Sequence, residues 1–308
     1  MSRATKVAIT GAAGFGGANL IQRLLADGAE VVALVRPRGE TTRLAQFHGI
    51  AIEEADIVDT PALTNCFAKH RPEIVFHLAS TGWSTAVSPS EHHRVIVEGA
   101  RSLAAALEAA PPNRLIATGS GAEYGPGIGF TEDQETLPNT PLGSAKKEAF
   151  EILTGWAART HAQCVWLRLF TPFGPWESQT RLVPSAIRAV LTSQPLLLRA
   201  ATSRRDFISA GDTAGAMIRS MTAPLPNVSV LNICRGESTS VANLVNRIAD
   251  LAGSRCRIEF GGADAAPDPL PESSGSSEKA QELLGWKPST SLDPGIEEAI
   301  TWWKERIQ

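Results

Sequence analysis

One tyrosine, Tyr124, and four cysteines are all that 308 residues hold of those two types. The cysteines, Cys66, Cys164, Cys234 and Cys256, lie far apart with no paired spacing. That argues against a zinc cluster and a disulfide framework, so no metal is expected and the thiols read as reduced core residues. No apolar run approaches the ~18 residues that a membrane span requires, so no membrane partner is expected either. Neither sign of charge dominates: 29 Lys and Arg stand against 32 Asp and Glu, a formal net charge of −3. Such a balance supplies no global field for nucleic acid or an anionic membrane. The expected partner is small, and an anionic ligand must be met by local cations. Met1 to Lys6 run straight into a strand with no charged-then-apolar leader, which makes the cytoplasm the expected location. With 43% hydrophobic and 20% charged residues, disordered and fibrous classes are excluded.

What is present alternates. Val7 to Thr10, Val31 to Val35, Ile74 to Leu78, Leu115 to Thr118 and Val165 to Leu169 read as fully buried strands. Between them, Leu20, Ile21, Leu24 and Leu25 share a helix face, as do Ile96, Leu103 and Leu107, and later Ala149, Ile152, Leu153 and Trp156. Strand and helix repeated in this order predict an α/β fold, a doubly wound parallel sheet with helices on both faces. After about residue 170 the regularity falls and Pro, Gly and Ser rise, although Val241, Leu244, Val245, Ile248 and Leu251 mark another amphipathic helix. A smaller lobe is expected there, with 261–277 as a loop.

The first strand leads into Gly11-Ala12-Ala13-Gly14-Phe15-Gly16-Gly17 and then an amphipathic helix ending near Gly28. Glycines permit a tight turn and close approach of backbone to a pyrophosphate, and the free N–H groups of the helix start face its charge. The strand and helix context that this motif demands is present. Gly11, Ala13, Gly14, Phe15, Gly16 and Gly17 are therefore candidates for dinucleotide binding. The second strand ends beside the adenosine ribose, where an acid suits the 2′-hydroxyl of NAD and an arginine the 2′-phosphate of NADP. Arg36 and Arg38 stand there, so NADP(H) is favoured, with NAD(H) as the alternative. Asp56 and Ile57 follow the third strand position, and Asp56 could meet the adenine amino group.

Taken together, Thr10 to Gly17, Asp56 to Asp59, His77-Leu78-Ala79-Ser80, Gly119 to Gly125, Arg168 to Pro175, Arg205-Asp206-Phe207 and Leu284 to Pro288 resemble the extended short-chain dehydrogenase/reductases, the NAD-dependent epimerase/dehydratase family of nucleotide-sugar enzymes. The likeness covers nearly the whole chain in order. It implies a Rossmann domain over 1–170, with about 206–233 returning to it, and a substrate-binding lobe from 171–205 and 234–308. It also implies a homodimer through the helices containing Leu103 and Ile152, and a nucleoside-diphosphate sugar as partner. Leu78, Ala79 and Ser80 join the implied cofactor contacts. Thr81, Ser120, Thr171, Arg181 and Arg205 are implied for the substrate, Arg205 and Arg181 at the diphosphate, where an arginine fork suits phosphate oxygens.

In this family the reaction centre is a Ser or Thr, a Tyr, and a Lys four residues after the Tyr. The Lys binds the nicotinamide ribose and lowers the Tyr pKa. Ser120 and Lys146 match, but the Tyr position is Leu142, which can neither donate nor accept a proton. Tyr124, Glu123, His92, His93, Glu177 and a relay through Ser120 are the candidates to supply the proton. Ile96 stands where the family usually carries Asn, and Thr171 likewise, so the hydrogen bonding is thinned further. Gly121 and Ala122 occupy the Asp-Glu positions of sugar 4,6-dehydratases, which argues against that reaction. The Gly119 to Gly125 string looks most like reductases of GDP-4-keto-6-deoxy-mannose. The leading expectation is NADPH-dependent reduction of a nucleotide-linked 4-keto sugar. The alternatives are an epimerase on a retained cofactor and a non-catalytic NADP-binding sensor or scaffold.

Overall fold

The computed structural model describes residues 4–82, 86–198, 200–253, 258–260 and 268–307. Cys256 and residues 261–267 lie outside them. The first half runs β1 (Lys6–Thr10), α1 (Phe15–Ala26), β2 (Glu30–Val35), β3 (Ala51–Glu54), α2 (Thr60–His70), β4 (Ile74–His77), α3 (Pro89–His92), a π-helical turn (His93–Glu98), α4 (Gly99–Ala109), β5 (Arg114–Ser120), β6 (Gly127–Phe130), α5 (Pro141–Thr160) and β7 (Gln163–Leu169). Then follow β8 (Thr171–Phe173), α6 (Leu182–Thr192), β9 (Leu196–Leu198), β10 (Arg204–Ser209), α7 (Ala210–Thr222) and β11 (Val228–Ile233). The chain ends with β12 (Ser238–Ser240), α8 (Val241–Ala252), β13 (Ile258–Phe260), β14 (Glu272–Gly275), α9 (Glu278–Leu284) and α10 (Leu292–Lys304).

Seven strands form one parallel sheet in the order β3-β2-β1-β4-β5-β7-β11. Its strands are apolar on both faces because helices cover both. One layer joins Leu63 and Phe67 of α2, Leu103 of α4 and Leu153 and Trp156 of α5 to Ala8, Val75 and Leu115. The other joins Leu20, Ile21 and Leu24 of α1, Met217 of α7 and Leu284 of α9 to Val7, Ile9 and Phe76. Local chemistry sets the helix starts: the Asp59 carboxylate accepts from the Ala62 N–H at 3.0 Å, and the Thr140 hydroxyl from the Gly143 N–H at 3.1 Å. This is the doubly wound Rossmann arrangement, with order reversing between β1 and β4, and the crevice above such a switch point is where ligands bind.

A smaller C-terminal domain packs Val183, Ile187 and Val190 of α6 against Leu244, Val245 and Ile248 of α8 and Ile296 and Ile300 of α10. Its strands run β12-β10-β14-β6, with β8 on β10, and β13 pairs with β9. The sequence pattern hid some of this. The expected loop at 261–277 contains β14, a four-residue strand whose Ser- and Gly-rich sequence carries no periodicity. β6 lies within the first 170 residues yet bonds to β14, while α7 packs on α1 and β11 pairs with β7 in the large sheet.

Candidate active site

A cavity of about 510 Å³ opens at the C-terminal ends of β1, β2 and β4. Thr10, Gly11, Ala13 and Gly14 line it from the first turn, and Leu78 to Gly82 from the segment after β4. Gly11 has φ +71°, and a Cβ there would sit 2.6 Å from the Ala79 nitrogen, so no side chain fits. At Gly17 a Cβ would meet the Ala12 carbonyl oxygen at 2.3 Å, so only glycine lets α1 start this close to the turn. Gly14 caps α1 without a side-chain hydrogen bond, which leaves the first helical N–H groups to an anion. Phe15, Gly16 and Gly17 begin the helix and do not line the cavity.

At the other end Arg36 lines the cavity, as do Asp56 and Ile57. The Asp56 carboxylate accepts from the Val58 N–H at 3.2 Å. Arg38 does not reach the cavity, which corrects the paired-arginine expectation. The Gly39 N–H donates to the Arg36 carbonyl at 2.9 Å, closing a turn that holds Arg38 exposed at φ +56° and brings Gly39 and Glu40 to the wall. Sequence reading missed four charged residues here: Glu40, Arg43, Glu91 and Arg94. Arg43 donates to the Trp176 carbonyl at 2.9 Å and the Ala13 carbonyl at 3.4 Å, tying the first glycine turn to the loop after β8. The Asn19 amide donates to the Pro175 carbonyl at 3.0 Å and reinforces that tie. The Arg94 guanidinium donates two hydrogen bonds to the Glu91 carboxylate, both at 2.9 Å, and its Nη1 lies 3.9 Å from the Asp56 carboxylate. These residues carry no motif of their own; only the fold gathers them. The glycine cradle, the open helix start and the surrounding cations fit a nicotinamide dinucleotide, which when bound supplies two-electron redox chemistry.

The reaction-centre candidates sit at the end of β5, beyond the walls of this cavity. Ser120 closes β5 and caps the short turn Gly121–Glu123: its hydroxyl accepts from the Ala122 N–H at 3.1 Å and its own N–H donates to Glu123 Oε1 at 2.7 Å. The Lys146 ammonium is 5% exposed and donates to the Thr118 carbonyl at 2.6 Å. Burial lowers its pKa to about 8 against the opposing pull of Glu123. Leu142 is buried, and with Ile96 it belongs to the apolar cluster under α4 and α5. Two hydrogen-bonding positions of the family are thus filled by core aliphatics.

Glu123 and Tyr124 are both buried. The Glu123 carboxyl is wholly buried and receives Arg168 Nε at 2.8 Å and the Trp166 indole N–H at 3.1 and 3.2 Å. Burial raises its pKa while the Arg168 guanidinium opposes the rise. The Tyr124 hydroxyl accepts from Arg168 Nη1 at 2.7 Å and donates to Asn232 at 2.9 Å, and burial raises its pKa as well. Both are held by these bonds in the turn that follows Ser120. Thr81 lines the cavity and shares a 2.5 Å hydrogen bond with the buried His92 ring, whose pKa burial lowers. His93 is exposed, 3.8 Å from Glu98.

The small domain brings its own charges. Thr171 pairs with Phe207 in the β8–β10 ladder. Arg205, on β10, forms an ion pair with Asp268, and Arg181 lies 3.6 Å from Glu177. The Asp206 carboxylate accepts from the N–H groups of Arg235 and Gly236 at 2.7 and 2.9 Å, so it holds a turn and does not pair with Arg205. Glu177 is 6% exposed, and burial raises its pKa to about 7. Among the described residues no group of His, Cys, Asp and Glu could hold a metal, and no helix is long and apolar enough to cross a membrane.

A family model described as the NAD dependent epimerase/dehydratase family matches residues 7–234. The chain belongs to that family. Its likeness to known epimerase/dehydratase-family proteins extends end to end. A UDP-glucose 4-epimerase of Mycolicibacterium smegmatis is 28% identical, covering 97% of this chain and 99% of the relative. A dTDP-L-rhamnose 4-epimerase of Burkholderia thailandensis is 26% identical, covering 96% and 94%. A structure described as MoeE5 in complex with UDP-glucuronic acid and NAD superposes with TM-score 0.88 at 28% identity, covering 98% of this chain and 99% of that one. Membership in the epimerase/dehydratase family makes this an enzyme of the extended short-chain dehydrogenase/reductase type, and the two sequence relatives are named as 4-epimerases, not GDP-4-keto-6-deoxy-mannose reductases.

Proposed function

We propose that this chain takes a nucleoside-diphosphate sugar and a nicotinamide dinucleotide and interconverts hydroxyl and carbonyl at a sugar carbon, returning the sugar as an epimer with the dinucleotide retained. The observation that carries this reading is the glycine cradle around Gly11, with Ser120 and the buried Lys146 at the neighbouring strand ends. Ser120 supplies a hydroxyl to hold the sugar oxygen, and its capping of the Gly121–Glu123 turn fixes its orientation. Lys146 meets the nicotinamide ribose. Arg205 and Arg181 face the diphosphate, with Asp268 and Glu177 as their partners until the ligand arrives. Relatives named as 4-epimerases of UDP- and dTDP-sugars favour that substrate class. Homodimerisation through α4 and α5 belongs to the same proposal, and sedimentation velocity tests it: a monomer at micromolar concentration contradicts it.

The test is incubation with NAD and a panel of UDP-, dTDP- and GDP-sugars, followed by proton NMR of the anomeric region. New epimer signals without net change in nicotinamide absorbance support the epimerase reading. The second reading, NADPH-linked reduction of a 4-keto sugar of the GDP-4-keto-6-deoxy-mannose kind, is favoured by Arg36 on the wall where β2 ends. Glu40 on the same wall suits the ribose hydroxyls of NAD instead. Calorimetric titration with each dinucleotide separates them: tighter NADP, weakened by Arg36→Ala, favours the reductase.

A further inference from the structure

We propose that the chain carries a second ligand site, a cavity that binds a neutral hexopyranose between the segment after β2, the loop after β8 and the end of α10. The cavity measures about 460 Å³, within the range of small-molecule sites. Trp176 and Glu177 line it from the loop, and Trp302, Trp303 and Arg306 from the end of α10 and the residues after it. The segment after β2 contributes Glu40 and Arg43, which it shares with the glycine-lined cavity; Gly11, Gly14, Ser120 and Lys146 take no part in these walls. Among the described residues, five buried side-chain nitrogen or oxygen atoms lack a hydrogen-bond partner. Three of the five belong to the walls of this cavity: Glu177 Oε2 and the indole Nε1 atoms of Trp176 and Trp303. The three residues are 6%, 7% and 4% exposed. Glu177 Oε1 lies 3.6 Å from Arg181 Nε, a contact that leaves Oε2 unserved. One buried acceptor and two buried donors without partners cost stability, and their concentration on one cavity points to a ligand that completes them.

The chemistry of the walls selects the ligand class. The unpaired set is a carboxylate acceptor and two N–H donors, so the ligand must both donate and accept. A cation accepts no hydrogen bond, and it would meet Arg43 and an Arg306 guanidinium that already lies 4.0 Å from the centre of the Trp302 ring. An anion donates none, and it would meet Glu177 and Glu40. A wholly apolar molecule would leave all three groups unpaired. A sugar hydroxyl donates and accepts without charge. The aromatic part of the wall suits the body of a sugar ring as well. The Trp302 ring centre stands 6.1 Å from that of Trp176 and 4.8 Å from that of Trp303, with planes at 63° and 81°, so the three indoles form a corner and not a flat stack. Electron-rich indole faces attract the polarised C–H groups on one side of a pyranose, while its hydroxyls meet the Glu177 carboxylate and the two indole N–H groups.

The test is a proton–nitrogen NMR titration of the whole protein, without dinucleotide, using glucose, galactose and mannose. The chain has seven tryptophans, and Trp176→Phe and Trp303→Phe assign the two indole N–H signals concerned. With at least one hexose those two signals are expected to shift saturably, and Trp302→Ala to weaken that binding at least about tenfold, with Trp302→Phe recovering part of the loss. Glu177→Leu, which removes the acceptor, is expected to weaken it by about the same factor; circular dichroism melts show which of these variants are folded and can be read. No shift with any of the three hexoses at about 100 mM leaves the three groups to water and overturns the proposal. Shifts produced by choline and by no hexose overturn it in favour of a cation site. Hexose binding that UDP displaces and that Trp302→Ala leaves within about tenfold of the parent puts the sugar at the nucleotide-sugar site and overturns it as well. None of these readings needs turnover, so the epimerase reading stands or fails separately.

Discussion

At the scale of single residues, Gly11, Glu123 and Glu177 each carry a measurable expectation. Gly11 combines φ +71° with a Cβ position 2.6 Å from the Ala79 nitrogen, so Gly11→Ala must displace backbone. Dinucleotide affinity is expected to fall at least ~10-fold while the fold persists, since the strain falls on the turn alone; calorimetry and circular dichroism read the two effects. Glu123 neutralises an Arg168 side chain that is 5% exposed. Glu123→Gln strands that guanidinium and is expected to cost about 3–5 kcal/mol in urea denaturation, the usual range for breaking a buried pair; a loss under about 1 kcal/mol contradicts the account. Glu177 carries a pH signature. Its folded pKa is raised from 4.5 to about 7, so the proton it binds supports the fold below about pH 4.5, and that support is lost as pH rises through 7. Glu177→Gln is expected to flatten this window and to raise stability at pH 8 by about 2 kcal/mol. Denaturation midpoints at pH 5 and 8 check it, and an unchanged pH slope counts against it.

At the scale of elements, α5 carries Leu142 and Lys146 from a Thr140 cap, a Pro141 start and a left-handed end at His161. Thr140→Ala is expected to cost about 1 kcal/mol and to weaken turnover by loosening the first turn, which holds Leu142; thermal melts and epimer formation measure the two. Five strands of the large sheet were legible because each is a short apolar run between helical periods, and the glycine turn was legible because its strand and helix context is local. β3 was not, since its residues are mostly exposed, and β14 was not, since Ser and Gly give no pattern. The site divides in the same way. Gly11, Gly14, Ser120 and Lys146 come from spacing and resemblance, and Arg36 from its place at the end of β2. Arg43, Glu40 and Arg94 come only from the way loops after β2 and β4 converge. The commitment of Glu123 and Tyr124 to Arg168 was equally hidden, because Arg168 and Asn232 arrive on β7 and β11, 44 and 108 residues beyond Tyr124.

At the scale of the whole molecule, the parallel sheet carries the glycine-lined cavity, and of the arginines proposed for the diphosphate, Arg205 pairs with Asp268 and Arg181 lies beside Glu177. The bonds of Arg43 and Asn19 clamp the Pro175–Trp176 loop, and Trp176 holds its place there at φ +65°, a strained conformation for so large a side chain. Ligand binding therefore stabilises the assembled form: a dinucleotide at 100 times its Kd is expected to add about 2.7 kcal/mol and raise the Tm. A nucleotide-sugar redox enzyme is expected to work here with Leu142 in place of the family's tyrosine. The most direct test is proton NMR of purified protein incubated with NAD and UDP- or dTDP-hexoses at pH 8. The account predicts epimer signals growing with time and no net change in nicotinamide absorbance. Unchanged sugars across the panel, with the dinucleotide bound, would contradict it.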